Sequence, residues 1–388
     1  MTTRIKTMIA AGAAVAMLAG AAPLVIAQDQ PRQRQGQGMR GPGGPGGPGM
    51  RRGGPGGPGF GGPEFRNLDL SDDQKAQLKK IRETIAPHIH RTPIFRSATL
   101  SRMSGFEVFL KAELLQKTGS YKPRGMVWSL LNMTPEQRSR GVITFSAGNA
   151  AQGLAYAGGI LGAKAVVVMP AAASPLKAQA TRDYGAEVFL HGSTAQEAFT
   201  RCMDLAKERG LTYQPSYDDL PLMQGHATMG LEIVEDLEDF DAVMLGVGGG
   251  GMLGGVVLAM QACNHPAQII GVEPEGAPKM HRSFLEGRPV TLERVSTVAD
   301  GLAAPSAGAK CYEVCRERVR QILLVREEEI LNGLRLLMER CKLYAEPAGA
   351  APIAGLLSGR TGLKPGSRVV CVVSGGNLDM QRLKTLFP

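Results

Sequence analysis

From Glu107 onward the chain alternates short β-branched runs with segments long enough for helices, and this alternation constrains its fold more than any other feature. The runs are EVFLK at 107, VITF at 142, AVVVM at 165, EVFL at 187, AVMLG at 242, IIGVE at 269, ILLV at 322 and RVVCVV at 368. Most are continuously apolar, which means burial on both faces, and the stretches between them have the length of crossover helices. The expectation is an α/β fold with mostly parallel sheets. Ligands of such sheets sit beyond the carboxyl ends of the strands, so chemistry belongs in the loops that follow these runs.

The formal charge of +9 over 388 residues lies mostly outside this body. Residues 1–63 carry Arg4, Lys6, Arg32, Arg34, Arg40, Arg51 and Arg52 against Asp29, a balance of +6, and the other 325 residues carry only +3. A nearly neutral body lacks the clustered basic face that a phosphate backbone requires, so no nucleic-acid partner is expected.

Residues 1–27 pair a short positive start with an uncharged run over 8–27, and Val25 and Ala27 stand three and one places before Gln28. That is the pattern of a cleaved secretory signal, with no stable membrane insertion afterwards. It predicts a periplasmic or secreted enzyme, or a cytoplasmic one if the start of the chain is misassigned. Pro23 and the Ala/Gly-dominated composition suit an export signal better than an anchor. Residues 28–67 read as a disordered linker, because residues 31–63 hold 15 Gly and 7 Pro and have little side-chain area to bury.

Residues 68–84 predict a helix that docks on the next domain. Ser71 with Gln74 forms a capping box, Leu70, Leu78 and Ile81 recur at helical spacing, and Pro87 ends the pattern. Leu70 to Gln74 also resembles one copy of the LTxxQ motif of small periplasmic stress chaperones. The six cysteines (Cys202, Cys263, Cys311, Cys315, Cys341, Cys371) show no CxxC pair and lie in apolar or helical stretches, as buried free thiols do. Such usage fits a reducing compartment and conflicts with the export signal.

Three loops at strand ends stand out. Ser146-Ala147-Gly148-Asn149 follows VITF, Gly248 to Gly251 follows AVMLGV, and Ser374-Gly375-Gly376-Asn377 follows the last strand. Glycines at a strand-to-helix turn let backbone N–H groups converge on an anion at the helix N-terminus, and the tetraglycine loop is the natural phosphate cradle. It matches no P-loop, and it fits the dinucleotide spacing only if the extra glycines are ignored. Glu273, at the end of the next strand, keeps that second reading open.

The motif Gly119-Ser120-Tyr121-Lys122-Pro123-Arg124-Gly125 decides between them. With it the chain resembles the fold type II family of pyridoxal-phosphate enzymes, in particular the threonine/serine dehydratases and serine racemases. The family's GSFKxRG, SxGNHxQ, GGGG and SGGN motifs are met in order at Lys122, at 146–152, at 248–251 and at 374–377, and Thr92-Pro93 and Glu346-Pro347-Ala348-Gly349 fit two further positions. The resemblance spans about residues 81–388 and implies two three-layer α/β/α domains. A large cofactor-binding domain would comprise 85–140 and 220–388, and a small mobile domain 141–219.

It also implies roles. Lys122 would bond to the aldehyde of pyridoxal 5′-phosphate and later serve as base at the substrate α-carbon. Gly248, Gly249, Gly250, Gly251 and Met252 would hold the phosphate, Asn149 the ring hydroxyl and Ser374 the pyridine nitrogen, with Tyr121 beside the cofactor. Ser146, Gly148, Asn149 and Ala150 would bind the substrate carboxylate, and Ser146 would stand among the catalytic groups. The activity implied is β-elimination on L-threonine and/or L-serine, giving 2-oxobutanoate or pyruvate plus ammonia, in a homodimer or homotetramer. The alternatives are β-replacement of the cysteine-synthase or threonine-synthase type, and a non-catalytic exported binding protein.

Departures from the pattern refine the reading. Racemases of the family place a serine where this chain has Ala147, and a methyl group carries no proton, so racemisation is expected to be poor. The usual His after Asn is Ala150, and Gln224-Gly225-His226-Ala227-Thr228 replaces the usual AGQGT. Some relatives bind a divalent cation through a Glu, a carbonyl and an Asp. Here Glu273 and Ala277 keep the spacing, but the third position is Lys279, so no metal is expected and Glu273 is read as an ion-pair partner. Only 11 residues follow Asn377, too few for the regulatory domain of feedback-controlled relatives.

Overall fold

The computed structural model describes residues 72–387. Its strands are β1 (Ile94–Arg96), β2 (Glu107–Lys111), β3 (Val142–Phe145), β4 (Ala165–Met169), β5 (Glu187–Leu190), β6 (Thr212–Tyr213), β7 (Ala242–Gly246), β8 (Gln268–Pro274), β9 (Val319–Val325) and β10 (Arg368–Val372). They form a six-stranded sheet in the order β1-β2-β10-β7-β8-β9 and a four-stranded sheet in the order β5-β4-β3-β6. Every pairing is parallel except that of β1 with β2. All eight runs read from the sequence are strands. β1 and β6, of three and two residues, are too short to leave a periodic signal.

Strands buried on both faces need two cores, and the large sheet has them. Val243, Leu245, Val370 and Val372 face one side, where Met223, Leu253 and Val256 from the helices Leu220–Asp236 and Gly251–Ala262 cover them. Ala242, Met244, Val369 and Cys371 face the other, against Leu334 and Ile353 from the helices Glu327–Cys341 and Pro347–Leu357. The small sheet repeats the arrangement, with Val142 and Val167 on one face and Ile143, Val166 and Val168 on the other. Each such aliphatic side chain contributes about 1.5–3 kcal/mol on burial.

The expected N-terminal helix runs over Asp72–Ile85. Leu78, Ile81 and Ile85 are buried, Leu78 within the core around Met223, and Arg82 pairs with Glu235 on the helix Leu220–Asp236. Its apolar stripe is therefore spent on docking. The signal segment, the linker and residues 68–71 lie outside the described residues. The six cysteines are free thiols, four of them buried.

Candidate active site

Two consecutive left-handed residues, Thr118 (φ 61°) and Gly119 (φ 69°), turn the chain into the lysine motif. A non-glycine residue in that region is strained and is kept only where its surroundings hold it. Here Asn377 Nδ2 donates to Thr118 O at 2.8 Å, and a Cβ on Gly119 would come 2.7 Å from Asn377 Oδ1. The Ser120–Gly375 bridge and the 3.1 Å bond from Tyr121 N–H to Ser374 O tie the lysine motif to the last glycine loop. Lys122 then opens the helix Lys122–Leu131, with Pro123 in the first turn, where proline costs no hydrogen bond.

The Lys122 amine donates to Ser216 O at 2.8 Å, and burial lowers its pKa to about 8. Gly153 brings the helix Asn149–Leu161 onto the lysine, because a Cβ there would lie 2.9 Å from Lys122 Cβ. Ser216 Oγ donates to Phe145 O at 2.9 Å, so one residue connects the end of β3 to the amine. The neighbouring Tyr217 covers the tetraglycine loop, and a Cβ on Gly249 would overlap its ring.

That loop is shaped for an anion. Gly250 caps the helix Gly251–Ala262 at φ 106°, a backbone open only to glycine. Among the described residues, the backbone N–H groups of Gly249, Gly250, Gly251 and Met252 have no protein acceptor, the arrangement by which a helix N-terminus can hold an anion. The buried Met252 follows directly. We expect Gly250→Ala to lower cofactor affinity about tenfold, the consequence of roughly 1–2 kcal/mol of left-handed strain. Its new Cβ would also press at 2.7 Å on Cys311 and Met280, and titration of the cofactor-free protein with pyridoxal 5′-phosphate checks this.

The loop after β3 offers a second, smaller set of donors. Ser146 N–H is bonded to Val168 O at 3.2 Å, and Gly148 N–H to Ser146 Oγ at 3.2 Å. Of the four residues expected to meet a carboxylate, Asn149 and Ala150 are the ones whose N–H groups have no protein acceptor. The Asn149 side chain donates from Nδ2 to Glu346 Oε1 at 2.6 Å and accepts at Oδ1 from Asn377 Nδ2 at 2.7 Å. Burial pushes the Glu346 carboxyl up to about 7, Asp300 adds to this, and Lys177 opposes it. Three distant motifs thus meet in one hydrogen-bonded chain. Ser374, in the same loop as Asn377, is buried.

Behind the lysine, Arg124 is fully buried between two carboxylates. Its Nε and Nη2 donate to Glu113 at 2.8 and 2.9 Å, and its Nη1 and Nη2 donate to Glu232 at 2.7 and 2.8 Å. Lys111 completes the balance with a 2.7 Å bond to Glu232. His226 packs edge-on to Tyr121 at 4.7 Å, and both its ring nitrogens lack a protein partner. Burial, helped by Lys122 and Arg124, holds its pKa well below the usual value, so the imidazole is neutral.

Sequence reasoning missed Ser216, Tyr217, Lys111, Glu113 and Glu232, and it gave Arg124 of the lysine motif no role. A signal existed for the partner of Glu232: Lys111 is a charge that ends the apolar run Val108-Phe109-Leu110. Glu273, read from the sequence as an ion-pair partner, pairs with Lys279 at 3.0 Å. His281 Nδ1 lies 2.9 Å from Ile322 O, and His265 stacks on Phe240.

An amine able to shed its proton near neutrality, an anion cradle of glycines and a separate pair of free N–H donors fit an aldehyde cofactor with a phosphate, bound beside an amino-acid carboxylate. The comparisons agree. Residues 85–375 match the pyridoxal-phosphate dependent enzyme family. The chain is 42% identical over 310 residues to the L-threonine dehydratase catabolic TdcB of Staphylococcus aureus, covering 79% of this chain and 89% of the relative. Among solved structures, maize serine racemase superposes with TM-score 0.77 at 30% identity, covering 82% of this chain and 97% of that one. The processed threonine deaminase isoform 2 from Solanum lycopersicum superposes with TM-score 0.77 at 33% identity, covering 82% and 93%. The chain belongs to the pyridoxal-phosphate dependent enzymes, with the fold type II architecture and pyridoxal 5′-phosphate as its cofactor.

Proposed function

We propose that this enzyme is an ammonia-lyase that converts L-threonine to 2-oxobutanoate and ammonia, and L-serine to pyruvate and ammonia. The observation that carries the reading is the position of the Lys122 amine. It is held by the carbonyl of Ser216, the residue before the Tyr217 that covers the tetraglycine loop, and the lysine packs on Gly153 of the helix that Asn149 begins, so the amine is tied to both donor loops. The names of the relatives, a threonine dehydratase and a threonine deaminase, support the substrate class.

When bound, the cofactor supplies an electron sink that makes the substrate α-hydrogen acidic. The protein does the rest. Gly249 to Met252 hold the phosphate end, and the Asn149 and Ala150 N–H groups orient the substrate carboxylate. The Lys122 amine, with Ser216 O accepting one of its hydrogens, takes the α-proton on one face. Ala147 offers no proton on the other, which favours loss of the β-hydroxyl over return of a proton with inverted configuration. Ser374, a neutral hydroxyl in the position assigned to the pyridine nitrogen, does not hold that nitrogen protonated as an aspartate would, and this favours elimination over transamination. The hydroxyl leaves as water, one water returns during hydrolysis, and the amino acid balances as 2-oxo acid plus ammonia.

Purified protein given threonine or serine alone is expected to release ammonia and 2-oxo acid in equal amounts. Turnover only with an added thiol or a phosphorylated substrate would assign it to β-replacement instead. The reading extends to a homodimer or homotetramer, to a mobile segment over 141–219, and to export directed by residues 1–27. Sedimentation and the mass of the native N-terminus test the first and the last.

A further inference from the structure

Lys279 begins the helix Lys279–Glu286 and is fully buried. Its Nζ donates to Val247 O at 3.0 Å, Ala277 O at 3.1 Å and Leu302 O at 2.9 Å, and it lies 3.0 Å from Glu273 Oε1. Three carbonyl acceptors require three N–H donors, which an ammonium has and a neutral amine lacks. Glu273 in turn accepts the backbone N–H groups of Met280 at 3.0 Å and His281 at 2.9 Å, so the carboxylate is fully engaged as an acceptor. Burial pushes both groups toward neutrality, and this hydrogen-bond pattern together with their mutual attraction keeps the pair ionic.

The four oxygens come from four separate segments. Glu273 is the penultimate residue of β8, Ala277 lies in the following turn, and Leu302 closes the short turn Asp300–Leu302. Val247 immediately precedes Gly248, and a Cβ on Gly248 would meet Gly301 O at 3.1 Å, so the same turn borders the loop. Stability is a weak reason to keep such a group, because packed apolar residues replace a buried ion pair at little or no cost. The pair carries no net charge, so its effect is on position rather than on the field at the phosphate.

We infer that the Lys279 ammonium is a tethered cation. It pins the backbone on either side of the tetraglycine loop so that the loop keeps its anion-binding shape without a dissociable metal ion at that point. The inference rests on the reading of Gly248 to Gly251 as the phosphate cradle, and it makes Lys279 a positioning residue.

The test uses the full chain, stripped of cofactor, in two variants. Lys279→Ala opens a space lined by four oxygens, and the double variant Lys279→Met with Glu273→Gln keeps the volume and removes both charges. Melting of the cofactor-free protein and its affinity for pyridoxal 5′-phosphate are measured in ammonium, potassium and tetramethylammonium chloride at equal ionic strength. We expect Lys279→Ala to lose about 10–100-fold in cofactor affinity, the scale seen when groups supporting a bound ion are removed. Ammonium or potassium then restores affinity and raises the melting temperature, and the bulky tetramethylammonium does neither. The double variant melts near the wild type yet keeps the affinity loss, and the wild type is insensitive to chelator.

Wild-type cofactor affinity in the double variant would reduce Lys279 to a stabilising pair and overturn the inference. So would a Lys279→Ala defect that no small cation relieves, or a wild-type protein that loses affinity on chelation. If Lys279→Ala does not fold, the double variant decides. If the wild type binds no pyridoxal 5′-phosphate, the cradle reading fails, and the cation dependence of melting in cofactor-free Lys279→Ala still reports on the oxygen cage.

Discussion

Replacing Lys122 by alanine leaves a folded protein whose turnover falls by more than about 10³-fold, since one side chain serves both as the cofactor's covalent anchor and as the base at the substrate. The fold has little to lose. The residue sits in the first turn of its helix, alanine is the best helix former, and the amine makes a single hydrogen bond, to Ser216 O. The expected signature is a normal melting curve, loss of the visible absorbance of lysine-bound cofactor, and no borohydride-fixed label on the peptide that carries position 122. Retained turnover, or a label on another lysine, would remove the chemical basis of the site. A pH dependence accompanies it. The cofactor-free amine has its pKa lowered to about 8 by burial, and only the neutral form attacks an aldehyde. Cofactor uptake by the wild type should therefore slow about tenfold for each pH unit below that value and level off above it.

The second large effect is on stability. Arg124→Met removes the guanidinium that neutralises Glu113 and Glu232, two buried carboxylates, and leaves Lys111 on Glu232 alone and Glu113 with no cation. Breaking a buried pair by removing one partner costs about 3–5 kcal/mol, which in a domain of this size lowers the melting temperature by on the order of 10 °C. Arg124→Lys should not rescue it, because one ammonium cannot reproduce two bidentate contacts. The pH profile separates this cause from simple loss of packing. Burial acts to raise the Glu232 pKa, but Arg124 and Lys111 outweigh it and hold the carboxyl below its usual range. Its contribution is thus present above the unfolded value of about 4.3 and is lost as pH falls through the lower folded value. Urea melts between about pH 5 and about pH 3, a range that runs from above the unfolded value toward the lower folded one, should show a steeper fall for the wild type than for Arg124→Met. Equal slopes would mean that the guanidinium is not what holds Glu232 ionised.

Much of this molecule is legible in order along the chain. Val142 to Phe145, Ala165 to Met169 and Ala242 to Gly246 read as buried parallel strands because an unbroken apolar run can satisfy its side chains only between two cores. The loops that follow β3, β7 and β10 carry the motif residues expected of them. Lys122 was found by the residues around it rather than by period, since its helix is buried and begins at the lysine itself.

Other parts were illegible for a physical reason. Ser146 carries the motif of carboxylate donors, yet its N–H is already bonded to Val168 O, which depends on how β3 and β4 meet. Nothing near Lys122 in sequence announces that a carbonyl 94 residues away holds its amine.

Which residues carry reactive groups, and which segments are strands, followed from side-chain chemistry and apolar period, both local properties of the chain. Which of those groups still have unspent hydrogen bonds, and which charges cancel, was decided by tertiary structure. Burial leaves few polar atoms without a partner, and Glu232 with Arg124, Asn149 with Glu346 and Lys279 with Val247 find theirs across distances along the chain that no spacing rule spans.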